Sequence, residues 1–235
     1  MVLALSNGQR TGARGIDQDL LRDVDRATAY RIMALTQAEL GESTGMLKTA
    51  VHPDGVGVAA PIFGSRIGRS GSFRLPADRV VGLEMEVGLV LGETIPNGAS
   101  DATVAAAIDH YFVGIEVVGT RYADRSKASP MAGLADYMSA FGYVVGDRFA
   151  RGTDIDGLEV TLELAGTRIY RAPARHGFGS VLASLAAYAR AQQPQLPLAA
   201  GTMVTTGSLC GLVPTNGGGR VRGWLGNEIV ELDLF

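Results

Sequence analysis

The chain has 235 residues, 46% of them hydrophobic, which suits one large domain or two small ones with a sizeable core. A net charge of −3 and a pI near 5.6, with no basic run or stripe, argue against nucleic acid as a partner. The single cysteine, Cys210, excludes an internal disulfide, and no stretch approaches the roughly 18 apolar residues of a membrane span, so the expected setting is cytoplasmic with no membrane partner.

Residues 1–15 read as a flexible N-terminal arm without the apolar centre of a signal peptide. A helix is expected from about Asp17, its cap, to Leu40, with Leu20, Leu21, Val24, Ala27, Ile32 and Leu35 as its apolar stripe and Gly41 as its stop. Residues 46–76 read as an irregular, functional loop broken by Pro53, Pro61 and Pro76. Within it, Gly55-Val56-Gly57-Val58-Ala59-Ala60 matches the letters of a dinucleotide fingerprint. That motif must follow a strand and open a helix, which His52-Pro53-Asp54 before it and Pro61 after it forbid.

Leu83 to Gly92 alternates strictly: Leu83, Met85, Val87, Leu89 and Leu91 share one face, and Glu84, Glu86, Gly88 and Val90 the other. The two carboxylates of this strand point the same way, roughly 7 Å apart. Such a pair belongs either on a solvated face or around a cation. A turn at Pro96-Asn97-Gly98 and a short helix from Ser100 to about His110 follow. Phe112 to Val118 is an apolar strand whose one charge is Glu116. A buried carboxylate is either ion-paired, here to Arg121 or Arg125, or bound to metal. Three carboxylates together form a hard, all-oxygen site suited to magnesium or manganese rather than zinc, with coordination positions left open for a substrate.

Arg121 to Tyr137 reads as a loop, Ala140 to Gly146 as a strand, and Leu158–Leu164 with Thr167–Ala172 as a hairpin about Ala165-Gly166. Val181–Ala191 is a small-residue helix, and Met203–Thr206, Val221–Leu225 and Ile229–Phe235 are strands. Residues 16–235 show no domain boundary, no repeats and no low-complexity linker. His52, His110 and His176 are too scattered for a metal cluster; His110, at a helix end, reads as structural, while His52 lies in the functional loop. Cys210 reads as a small buried apolar residue, and Asp136 as a loop cap or supporting group.

Glu84-Met85-Glu86, followed about thirty residues later by Ile115-Glu116-Val117-Val118-Gly119-Thr120-Arg121, resembles the fumarylacetoacetate hydrolase superfamily. The resemblance is to its 2-keto-4-pentenoate hydratase and 4-oxalocrotonate decarboxylase branch. Gly45-Met46-Leu47-Lys48, His52-Pro53, Ala135-Asp136-Tyr137-Met138-Ser139, Thr206-Gly207-Ser208-Leu209 and Val213-Pro214 match that group's segments in order, over residues 17–235.

The resemblance implies an α+β fold: a mixed β-roll with flanking helices in one catalytic domain, assembled as a homo-oligomer. It implies a divalent cation held by Glu84, Glu86 and Glu116, and a small 2-oxo or 2-hydroxy carboxylic acid bound near Leu47, Lys48, His52 and Ser139. The cation polarises the C2 carbonyl and stabilises an enolate, which serves water addition, decarboxylation or C–C cleavage. Hydration of a 2-hydroxy-dienoic acid from aromatic catabolism is the first expectation. Decarboxylation of a 4-oxalocrotonate-like acid is the second, and a weakly active metal-binding partner subunit the third. Two residues depart from the group's pattern: Ile62 stands where the hydratases carry an acid, and Tyr137 where they carry asparagine. Either the substrate differs or the acid/base role has moved.

Overall fold

The computed structural model describes residues 1–150 and 152–235. Helix α1 (Val2–Thr11) replaces the expected arm; its buried Leu5 and Ser6 pack inward, and Arg66 clamps its last turn through the Gln9 carbonyl at 2.8 Å. Tertiary contacts order it, because its own sequence offers no side-chain cap. The long expected helix is divided. Asp17 caps a short 3-10 turn, Gln18–Leu21, and Asp25 caps α2 (Arg26–Leu40), which ends at Gly41 in the left-handed conformation.

Residues 46–76 are largely strand: β1 (Thr44–Val51), β2 (Gly57–Phe63), β3 (Ile67–Arg69) and β4 (Arg74–Leu75). They carry no alternation because β2 is buried along its whole length. Pro61 is tolerated because β2 lies at the end of its sheet, where a missing N–H breaks no ladder. Strand β5 (Gly82–Leu91) follows, then α3 (Asp101–Ala106), capped by Ser100 as expected but ending before His110. Then come β6 (Ile108–Val118), α4 (Pro130–Ala135), β7 (Ala140–Ala150), the β8 (Glu159–Leu164) and β9 (Thr167–Pro173) hairpin, and α5 (Ala183–Ala189). The chain closes with β10 (Met203–Ser208), β11 (Val213–Pro214), β12 (Gly219–Leu225) and β13 (Glu228–Leu234).

Among the described residues one sheet has eight strands, in the order β2-β1-β10-β5-β6-β7-β3 with β11 on β5. Its two ends, β2 and β3, are joined by the three-residue turn Gly64–Arg66. So short a link between opposite edges requires the sheet to curl into a roll. The second sheet has five strands, β4-β13-β12-β8-β9, and packs its β13 across β6 and β7. The apolar face of β5 meets this second layer: a Cβ on Gly223 of β12 would lie 2.4 Å from Met85 Sδ. Parallel pairs (β1 with β10, β3 with β7, β4 with β13) among antiparallel ones make the sheets mixed. Helices α1, α2 and α4 form one flank, and α5 covers β1 and β2.

Candidate active site

Register places the carboxylates. In the β5–β6 pair Glu84 lies opposite Glu116, and Glu86 opposite Gly114, so all three side chains share the inner face of the roll. They offer oxygens that all lie within 4.8 Å of one another, a span that two cation–oxygen bonds of about 2.0–2.6 Å can bridge. Glu86 and Glu116 are fully buried, and Glu84 is half-buried at the end of the roll where β5 begins. Glu86 Oε1 and Glu116 Oε2 have no hydrogen-bond partner. Two buried carboxylate oxygens without donors are costly on their own, and a hard divalent cation fits this donor set.

The cation that Glu116 does have is neither Arg121 nor Arg125. Lys48, across the roll on β1, donates from Nζ to Glu116 Oε1 at 2.6 Å and to the Met138 carbonyl at 3.2 Å. Burial alone would push the Lys48 ammonium down, but Glu116, Glu84 and Glu86 outweigh it and hold it above its ordinary value. Burial pushes the Glu116 carboxyl up to about 7 despite Lys48. It pushes Glu86, which also faces Glu116, well above the carboxylate range. Glu86 Oε2 accepts a hydrogen bond from Thr205 Oγ1 on β10, and Tyr143 Oη on β7 lies 3.4 Å from the same hydroxyl. Glycine at 114 admits that phenol, since a Cβ there would lie 2.2 Å from Tyr143 Oη.

The loop expected between Arg121 and Tyr137 holds α4 and then three consecutive non-glycine residues at positive φ: Tyr137 (55°), Met138 (51°) and Ser139 (64°). Such a run is strained and persists only where its surroundings over-determine it. Asp136 anchors it: its carboxylate accepts from Arg121 Nε, and its carbonyl from Arg121 Nη2 at 2.6 Å and from Ser139 N at 2.9 Å. The Tyr137 hydroxyl donates to the Met33 carbonyl at 2.7 Å, and its ring meets Phe63 edge-on. The strain presents the Met138 carbonyl to Lys48 and Ser139 Oγ to Arg125 Nε at 2.9 Å. Arg121→Met leaves the Asp136 carboxylate buried without its cation and is expected to cost about 3–5 kcal/mol. Urea unfolding measures this, and an unchanged midpoint would remove the anchor role.

Not every expected residue joins this group. Leu47, adjacent to Lys48, points to the opposite face of β1 and lines a separate cleft of about 420 Å³ with Thr44, Leu196 and Thr202. His52 stays at the β1–β2 turn, paired with Asp54 at 2.9 Å, about 13 Å from Lys48 by strand rise. Ile62 lies on the inner face beside Lys48, buried, so the departure from the hydratase pattern falls inside the roll. The Cys210 thiol is pushed up by burial and accepts from Met85 N at 3.4 Å, which suits no nucleophile. Sequence offers Arg125 only as an ion-pair partner of Glu116, whereas the structure tethers it to Ser139. Thr205 and Tyr143 are not singled out by sequence: a threonine pair in β10 is the one signal for Thr205, and Tyr143 carries none.

The curled mixed sheet with flanking helices is a fold shared with solved structures, among them a putative fumarylacetoacetate hydrolase family protein from Yersinia pestis, which gives a TM-score of 0.56 at 16% identity and covers 81% of this chain and 92% of its own. No protein-family model matches the sequence. 4-Oxalocrotonate decarboxylase from a Pseudomonas species is 27% identical over 141 residues, 60% of this chain and 55% of the relative. The alignment thus spans just over half the length of that relative. The solved 4-oxalocrotonate decarboxylase of Pseudomonas putida G7, complexed with magnesium and adipate, superposes with a TM-score of 0.81 at 20% identity, covering 100% of this chain and 97% of its own. The 5-carboxymethyl-2-hydroxymuconate delta-isomerase of Mycobacterium smegmatis gives 0.55 at 20% identity, covering 82% and 79%. The resemblance is thus to the branch that holds the decarboxylase. Among the described residues no helix is long and apolar enough to cross a membrane.

Proposed function

We propose that the chain is a divalent-metal-dependent lyase that decarboxylates 2-oxo acids whose departing carboxylate sits on the saturated carbon next to a C=C conjugated with the 2-oxo group, as in 4-oxalocrotonate. The observation that carries this reading is the pairing of two donor-less buried oxygens, on Glu86 and Glu116, with a charged Lys48 at 2.6 Å from Glu116. Glu84, Glu86 and Glu116 would hold magnesium or manganese, which when bound supplies a Lewis acid for the 2-oxo group. Lys48 places a fixed N–H donor and a positive charge where negative charge develops on the substrate. As the C–C bond to the departing carboxylate breaks, carbon dioxide leaves. The electron pair passes through the conjugated chain to the C2 oxygen, and one proton there completes the 2-hydroxydienoic product. Buried Ile62, Phe112 and Tyr143 shield the inner end from water.

Hydration, the first expectation from sequence, requires protons at two carbons as well as an added water. The side chains that bond the three glutamates, directly or through Thr205, are Lys48 and the buried hydroxyls of Thr205 and Tyr143 among the described residues, and Ile62 stands where the hydratases carry an acid. Decarboxylation makes the smaller demand, and the full-length likeness to a decarboxylase supports it. Carbon dioxide release from 4-oxalocrotonate with and without magnesium tests the reading. Loss of 2-hydroxypenta-2,4-dienoate absorbance without gas would favour hydration, and no metal-dependent turnover of either acid would end both. Self-association fits exposed Leu3 and Leu35, 71% and 48% accessible, and sedimentation tests it.

Thr205 fixes Glu86 Oε2 and leaves Oε1 for the cation. Thr205→Val keeps the shape and removes the donor, so manganese affinity should fall about 10–100-fold, as for other groups that orient metal ligands. Thr205→Ser should restore it. Calorimetric titration with manganese reads both, and equal affinities across the three proteins would show that Glu86 needs no such support.

A further inference from the structure

The metal-centred reading uses the three glutamates and Lys48 and leaves Arg125 without a task. Arg125 opens the 3-10 turn Arg125–Lys127, capped by Asp124. Its Nε donates to Ser139 Oγ at 2.9 Å, which tethers the guanidinium to the strained turn that also contacts Lys48 through the Met138 carbonyl. Ser139 is buried, whereas Arg125 itself is exposed at the end of the roll where Glu84 is accessible. The nearby Asp124 is committed to Lys127 at 3.1 Å and to Ser126, so it gives Arg125 no counter-charge. Both Nη groups of Arg125 lack a protein acceptor among the described residues, although guanidinium forks are matched to carboxylates. The positive charge also reaches Glu116, where it favours the ionised carboxylate.

We propose that Arg125 binds a second carboxylate at the far end of the substrate, so that the site selects 2-oxo diacids over 2-oxo monoacids. The inference rests on the metal-dependent lyase reading. With a divalent cation, three carboxylates and Lys48, the site is near neutral. A monoacid adds one negative charge and a diacid two, and Arg125 compensates the second. Ile62, Phe112 and Tyr143 are buried on the inner face away from the accessible end, and a carboxylate placed unpaired among these three side chains would be strongly disfavoured. The far end of the substrate therefore points to the accessible end, toward the free Nη pair. When the bound carboxylate is the one that departs, its charge is lost in the transition state. Arg125 then holds substrate more than transition state, and its removal weighs on KM more than on kcat.

Calorimetry on the manganese-loaded protein with 2-oxoadipate and 2-oxohexanoate, which differ by one terminal carboxylate, tests the inference. The diacid should bind about tenfold tighter or more, in line with a charge-assisted pair. Arg125→Gln should lower 2-oxoadipate affinity to that of 2-oxohexanoate, and Arg125→Lys should recover part of the gap. Equal affinities in the wild type, or a matching loss for both acids in Arg125→Gln, would overturn the role of Arg125 and leave the lyase reading standing. Failure of both acids to bind the loaded wild type would overturn the two together.

Discussion

Glu86→Gln should abolish metal-dependent turnover and weaken manganese binding by at least about a hundredfold, more than the loss of a group that merely orients a ligand. The substitution keeps side-chain shape and an acceptor for Thr205, and removes a fully buried carboxylate whose affinity for protons is raised by burial and by Glu116 beside it. Without metal the variant should therefore melt no lower than wild type. With metal the curves should separate. A cation that binds only the folded protein stabilises it by about 2.7 kcal/mol at a hundredfold excess over its dissociation constant. Thermal melting of both proteins with and without manganese reads this difference. A wild-type melting point indifferent to millimolar manganese and magnesium, or an equal shift in the variant, would show that Glu86 holds no cation.

Lys48→Met has the second largest expected effect, and its sign depends on pH. Glu116 is raised on folding from its ordinary 4.5 to about 7, chiefly by burial. A carboxyl raised on folding contributes stability that is complete below its unfolded value and lost as pH climbs through its folded value. The metal-free wild type should thus lose on the order of 3 kcal/mol between pH 4.5 and pH 8 from Glu116 alone. Removing Lys48 takes away the cation that, among the described residues, contacts Glu116, and raises that carboxyl further. Metal-free Lys48→Met should therefore match wild type near pH 5 and fall below it at pH 8. Turnover of the metal-loaded variant should drop about 10²–10⁴-fold, the range for a lost proton-handling group. Denaturant midpoints at the two pH values check the first part. A deficit as large at pH 5 as at pH 8 would mean that Lys48 stabilises by packing and not by charge.

The sequence by itself determined the strand that carries Glu84 and Glu86, because period-two alternation survives wherever the two faces of a strand meet different surroundings. It also determined the Glu116 strand, the β8–β9 hairpin, the Ser100 cap and the Gly41 stop, all of which are local decisions of dihedral preference and hydrogen bonding. The expectation that three separated carboxylates converge followed from chemistry, and the β5–β6 register brings them together.

Only the tertiary structure decided the rest. Helix α1 exists because Arg66 and the buried pocket around Leu5 hold it, which no local pattern announces. Strand β2 left no alternation to read because both of its faces are buried when the sheet curls. Glu116 pairs with Lys48, 68 positions away, rather than with the nearer Arg121, because the roll brings β1 across from β6 while Arg121 is drawn to Asp136. His52 and Leu47 sit beside Lys48 in the sequence but leave the site, one by strand rise and the other by strand alternation. Thr205, Tyr143 and Arg125 meet the site from three elements distant in sequence. Their contributions are distances across the roll, and such distances are fixed by register and curvature rather than by any neighbour along the chain.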